Sequence, residues 1–137
     1  MKVSELARRA GVTAETVRHY VRENLLTPER HPHNGYQLFT THDLERLGFI
    51  QRARKLGFSV AEIREILAQA DKGDSPCPLV RDMLAARLPQ IRARIAELEA
   101  LASRMETALA SWQNMPDGTP DGHSLCRLIE SFPEETP

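Results

Sequence analysis

Cys77 and Cys126 are the only two thiols among 137 residues, and they carry the chain's most distinctive chemistry. A thiol can serve as a buried apolar side chain, a reactive nucleophile or a metal ligand. Cys77 stands just before the longest helical pattern, where N-terminal amides and the helix dipole favour an anion. Cys126 lies in DGHSLCRLIES, three residues after His123. His-x-x-Cys on one helical turn can aim an imidazole and a thiolate at one ion. No third clear ligand and no general base accompany them, so the pattern does not describe an enzyme.

Composition bounds where those thiols work. The chain lacks a signal-peptide pattern, and no apolar stretch approaches the roughly 18 residues of a membrane span. A cytoplasmic protein with no membrane partner is expected, in which a structural disulfide is rare. The hydrophobic share of 41% with only 5% aromatics leaves Leu, Ile and Ala to pack the core, which favours helices. The net charge of −1 hides an asymmetry. Residues 1–70 hold 11 Lys/Arg against 8 Asp/Glu, and residues 71–137 hold 7 against 11. A basic front half suits phosphate contacts, and an acidic rear half suits another task.

The elements that must position these groups follow from periodicity. Val3, Leu6, Ala7 and Ala10 share one helical face, and Val12, Val17, Tyr20 and Val21 share the next. Gly11 permits a tight turn between them, and Thr13 can cap the second helix. Two short helices across a glycine turn form a helix-turn-helix, whose second helix is shaped for a DNA major groove. His33-Asn34-Gly35 marks a hairpin, because Asn-Gly tolerates positive φ at both central positions of a tight turn. Thr40 and Thr41 offer caps for a helix to about Lys55, with Leu44, Leu47, Ile50 and Ala53 inward and Gly57 as its stop. Ser59 to Glu62 is a capping box opening a helix to about Ala70, with Val60, Ile63, Ile66 and Leu67 apolar.

Residues 71–78 read as a linker, DKGDSPCP. Beyond them Leu84, Leu88, Ile91, Ile95, Leu98, Ala102, Met105, Leu109 and Trp112 alternate spacings of four and three, a heptad seam. Such a seam needs a partner helix, most simply its own copy running antiparallel. Pro89 predicts a kink or a late helix start. In the tail, Ser124–Phe132 is the stretch that can form a short helix. The expected fold is all-α with a small β wing. A winged helix-turn-helix DNA-binding domain (1–70) and a linker (71–78) precede a long antiparallel coiled-coil dimerisation helix (79–113), then a C-terminal loop and tail (114–137).

With these residues placed, the chain resembles the MerR family of transcriptional regulators. The resemblance rests on SELARRAGVTAETVRHY, NGYQLFTTHDLERLGFI and ARKLGFSVAEIREIL, in the family's order and followed by a linker cysteine and a long helix. It implies a homodimer whose two winged heads grip a palindromic promoter site in double-stranded DNA. It also implies activation by distortion, in which the effector-bound dimer untwists an over-long spacer so that RNA polymerase aligns with both promoter elements. Thr13, Thr16, Arg18 and His19 would lie along the exposed side of the recognition helix. Arg18 and Tyr20 match DNA-contacting residues of the family, and Arg30 and Tyr36 would hold the wing to the backbone. His19 stands where a tyrosine is common, and Gln37 where an arginine is common.

The same resemblance points to the metal-responsive branch. There, a cysteine at the start of the dimerisation helix completes a site made by the other subunit's C-terminal loop, and Cys77 and Cys126 match those two places. A further cysteine common at the end of the long helix is replaced here by Trp112. The expected ligands are Cys77, Cys126 and His123, with Asp117 or Asp121 as oxygen donors. Two thiolates with a histidine or carboxylate suit zinc or a similar divalent or heavy metal ion. A thiol-based sensor of oxidants or electrophiles, and an effector-free architectural DNA binder, are the alternatives.

Overall fold

The computed structural model describes residues 1–134. The chain forms two compact units, Met1–Asp82 and Met83–Pro137. In the first, α1 (Val3–Ala10) and α2 (Ala14–Arg22) meet across Gly11, whose φ of +72° caps α1 in the left-handed region. Space around Gly11 is open, so the backbone angle alone asks for glycine there. Thr13 caps α2 by accepting the Thr16 amide on its hydroxyl at 3.1 Å.

The wing is a two-stranded antiparallel ribbon, β1 (Glu29–Arg30) against β2 (Gln37–Leu38), with Glu29 opposite Leu38 and Arg30 opposite Gln37. Its connection differs from the expected tight Asn-Gly turn. Residues 31–36 form the loop, and of Asn34 and Gly35 only Gly35 takes a positive φ, +70°. Asn34 instead accepts the Tyr36 amide on its side-chain oxygen at 3.0 Å, while the His31 amide donates to the Tyr36 carbonyl at 2.8 Å. An asparagine that makes its own side-chain turn has no need of the left-handed region.

Two capping boxes set the remaining helices of this unit. Thr40 and Asp43 exchange bonds at the start of α3 (Thr41–Lys55), and Ser59 and Glu62 do so at the start of α4 (Val60–Asp71). Asp43 is therefore buried without being unsatisfied. Leu6, Val17, Leu25, Leu47, Ile50 and Ile63 are fully buried and join α1 to α4 around one core. Leu44, expected inward, is only half-buried, as is the apolar Val60.

The stretch between α4 and the long helix α5 (Cys77–Trp112) is shorter than the expected linker, residues 72–76. Pro78 fits inside the first helical turn because its missing N–H has no partner to lose there. The late start expected at Pro89 does not occur: α5 begins at Cys77 and runs through Pro89. In the second unit the seam is bare. Leu88, Ile91, Ile95, Leu98, Met105 and Leu109 are each 48–65% exposed, while Ala108 is the buried residue of α5. A helix with so much uncovered apolar surface is built to pair with another. A short helix, α6 (Arg127–Ser131), follows. Leu101, Met105, Ala108 and Trp112 of α5 face Ile129 and Phe132 around a cavity of about 260 Å³. No helix among the described residues is long and apolar enough to cross a membrane.

Candidate nucleic-acid interface and metal site

The recognition helix α2 presents Thr13, Arg18 and His19 to solvent, with Thr16 half-buried. Glu15 organises the cations beside them. The Arg22 guanidinium, hydrogen-bonded to Glu15 at 2.9 Å, holds that carboxyl below its usual range, and Arg18 adds a weaker pull from 3.8 Å. Arg18 is thus the looser of the two. Its guanidinium can turn to a base edge or phosphate without dismantling a tight ion pair. Tyr20 differs from its neighbours: it is 8% exposed, so its ring belongs to the core and offers DNA little surface.

The wing stands beside this helix. Arg30 donates to the Gly35 carbonyl at a long 3.4 Å, and Tyr36 is half exposed. Lys2, which the sequence reading passed over, lies with its ammonium 4.4 Å from the Tyr36 ring centroid. Lys2, Ser4, Arg18, Tyr36 and Gln37 line one groove of about 230 Å³, joining the start of α1, the recognition helix and the wing. The available signal was a lysine directly ahead of the first helix. Three other arginines of the front half hold backbone. Arg46 donates to the Leu25 carbonyl at 2.8 Å and grips Asp71 with both terminal nitrogens. Arg64 holds the Glu23 carbonyl and carboxylate, and Arg54 holds the Phe58 carbonyl.

At the other candidate site both cysteines are free and exposed. Cys77 is the first residue of α5, its amide donating to the Ser75 hydroxyl at 3.4 Å. Cys126 is the N-cap residue of α6, and its side chain makes no capping bond. The loop before it is organised by two carboxylates. Asp121 accepts the amides of His123 and Ser124 on one oxygen at 2.7 and 2.8 Å, and its own amide donates to the Ser124 carbonyl. Glu130 reaches back from α6 to accept the Ser124 hydroxyl at 2.5 Å and the Leu125 amide at 3.2 Å. The Ser124 bond, with the amides next, keeps the Glu130 carboxyl below its usual range.

The expected ligands are therefore distributed. Cys77 belongs to the first unit, His123 and Cys126 to the second. Among the described residues of the single chain, no three His, Cys, Asp or Glu side chains gather to hold a metal ion. Asp121, expected as an oxygen donor, spends one oxygen on its own turn. The donors that remain, two uncommitted thiols and an imidazole, fit a borderline-soft divalent ion.

A two-helix unit with an exposed arginine, a β wing beside it and a long helix with a bare apolar seam define a winged helix-turn-helix fold. Comparison with known proteins gives the family. The description "MerR HTH family regulatory protein" matches residues 1–70, and "MerR, DNA binding" matches residues 44–108. The HTH-type transcriptional regulator ZntR of Escherichia coli (strain K12) is 34% identical over 132 residues, covering 96% of this chain and 91% of ZntR. The mercuric resistance operon regulatory protein of Bacillus cereus is 30% identical over 133 residues, covering 96% of each. The crystal structure of the regulator PbrR691 from Ralstonia metallidurans CH34, in complex with lead(II), superposes with a TM-score of 0.76 at 27% identity. It covers 96% of this chain and 98% of that one. The chain belongs to the MerR family, and its similarities lie with the metal-responsive regulators of that family.

Proposed function

We propose that this regulator senses a divalent transition or heavy metal ion, zinc-like in its preferences, through Cys77, Cys126 and His123. The observation that carries this reading is the pair of free, exposed thiols at the first residue of α5 and the N-cap of α6. Two thiols that are free and reachable from solvent are open to an ion. Relatives that answer to mercury and bind lead(II) support a soft divalent ion. A bound ion would supply bonds linking the start of α5 to the loop before α6, with Cys77 drawn from one copy and His123 and Cys126 from the other.

The division of labour follows. Residues 1–70 bind DNA, 79–113 pair two copies as an antiparallel coiled coil, and 114–137 form the effector loop and tail. Arg18 reads bases or phosphates, with Thr13, Thr16 and His19 along the same side. Arg30 and Tyr36 anchor the wing, and Tyr20 acts from the core by setting the pitch of α2. The target is a palindromic promoter site in double-stranded DNA, used in the cytoplasm. Metal binding would change how far the dimer distorts that DNA for RNA polymerase, a mechanism that works through deformability.

Titration of reduced protein with zinc, cadmium, lead(II), mercury(II) and copper(I), beside Cys77→Ser and Cys126→Ser, tests the sensor. Tight stoichiometric binding by wild type and its loss in both variants is the expected result. A wild type that binds no metal but loses DNA affinity on thiol oxidation would replace the reading with thiol sensing. Indifference to both treatments would leave an effector-free DNA binder.

A further inference from the structure

We infer that Glu130 is the positioning residue of the sensing loop, holding the Ser124–Cys126 backbone in its metal-ready form before any metal arrives. The inference rests on the metal reading above and deepens it. The loop has little else to order it. Leu125 is 80% exposed, and His123 and Cys126 are exposed, so apolar packing contributes almost nothing there. Order comes from carboxylates. Asp121 closes the first half of the loop by taking the His123 and Ser124 amides. Glu130, one helical turn beyond Cys126, takes the Ser124 hydroxyl and the Leu125 amide on separate oxygens.

The consequence is that Cys126 is held from both sides. Its own carbonyl accepts the Glu130 amide at 3.0 Å, while the Glu130 side chain grips the peptide leading into it. A thiolate on a slack loop loses conformational freedom when it binds a metal, and that loss weakens affinity. Fixing the loop in advance removes the loss, and ligand-supporting bonds of this kind typically change metal affinity by about 10- to 100-fold. Glu130 touches no metal in this scheme. It acts through Cys126, by way of the Ser124–Leu125 peptide that leads into it.

The test has two arms in the full-length protein. Zinc affinity is measured by competition with a chromophoric chelator. The rate of Cys126 alkylation is measured without metal in a Cys77→Ser background, where it is the only thiol. Glu130→Ala should weaken zinc by about 10-fold and speed alkylation. Glu130→Gln, which keeps one acceptor oxygen, and Ser124→Ala should fall between it and wild type. Glu134→Gln, a control for lost charge, should match wild type in both arms. Unchanged zinc affinity and alkylation in Glu130→Ala would overturn the inference. So would weaker zinc binding with unchanged alkylation, since the carboxylate would then act as a ligand or a charge. If wild type itself binds none of the five metals, the metal reading fails, while the alkylation arm still judges whether Glu130 orders the loop.

Discussion

Arg18 and Arg22 share one carboxylate, and the unequal sharing decides which can serve DNA. Arg22 takes Glu15 at 2.9 Å, leaving Arg18 at 3.8 Å with its side chain 54% exposed. An arginine bonded to a base edge contributes about 1–3 kcal/mol of discrimination. Arg18→Ala should therefore weaken binding to the cognate operator duplex by roughly 5- to 150-fold, with the dimer intact. Fluorescence anisotropy against operator and scrambled duplexes reads the effect. Equal affinity for the operator in both proteins would mean that α2 is not the reading helix. Arg22→Ala offers a comparison, since that side chain begins from a shorter ion pair.

Between elements, the main fastener outside the core is the Arg46 guanidinium, which joins the Leu25 carbonyl to the last residue of α4. Its bidentate bond is the chief reason the Asp71 carboxyl sits below its ordinary value near 3.8. A depressed carboxyl stabilises the fold above its unfolded value and loses that contribution as pH falls through its folded one. Asp71 is 59% exposed, so screening keeps the pair to less than about 1 kcal/mol. Asp71→Asn should lower urea stability by that order at pH 7, with the gap to wild type closing as the solution is acidified below about pH 5. A gap that survived at acid pH would show that shape rather than charge holds α3 to α4.

What the sequence disclosed at this scale was local. The Thr13 cap, a cap at Thr40, the Ser59–Glu62 capping box and the Gly57 stop are each written within four residues and each formed, while the return bond from Asp43 to Thr40 was not anticipated. The wing turn was misjudged because Asn34 can satisfy a turn with its side chain or its backbone, and composition does not choose between them. Arg46 with Leu25, Arg64 with Glu23 and Gln51 with Ala10 were invisible, since chain folding alone brings together partners 21 to 41 residues apart. At the sensing loop, His123 and Cys126 stood out by type. Glu130 did not, because its role arises only once α6 turns it back over Ser124.

For the whole molecule, the bare seam sets the assembly. Ile95 and Leu98 are about half exposed in one chain, 48% and 49%, and burying the uncovered half of each against a second helix stabilises a dimer by about 0.7–1.5 kcal/mol each. Placing a charge there reverses the sign, because an unpaired charge cannot be buried cheaply. Ile95→Glu with Leu98→Glu should sediment as a monomer that keeps its helical content and loses most of its operator affinity. A dimer in sedimentation would mean that another face of α5 does the pairing.

The arginines bonded within the chain have a consequence for how the protein spends its time among the cell's nucleic acid. Arg46, Arg54 and Arg64 are tied to backbone carbonyls, and Arg9 and Arg22 to neighbouring carboxylates. Of 11 basic side chains in residues 1–70, these five are engaged within the chain and meet arbitrary phosphates at reduced strength. Cohesion with random chromosomal sequence comes almost wholly from such charges. Each cation engaged at home trims the pull of random sequence, and residence at one promoter then leans more on fit.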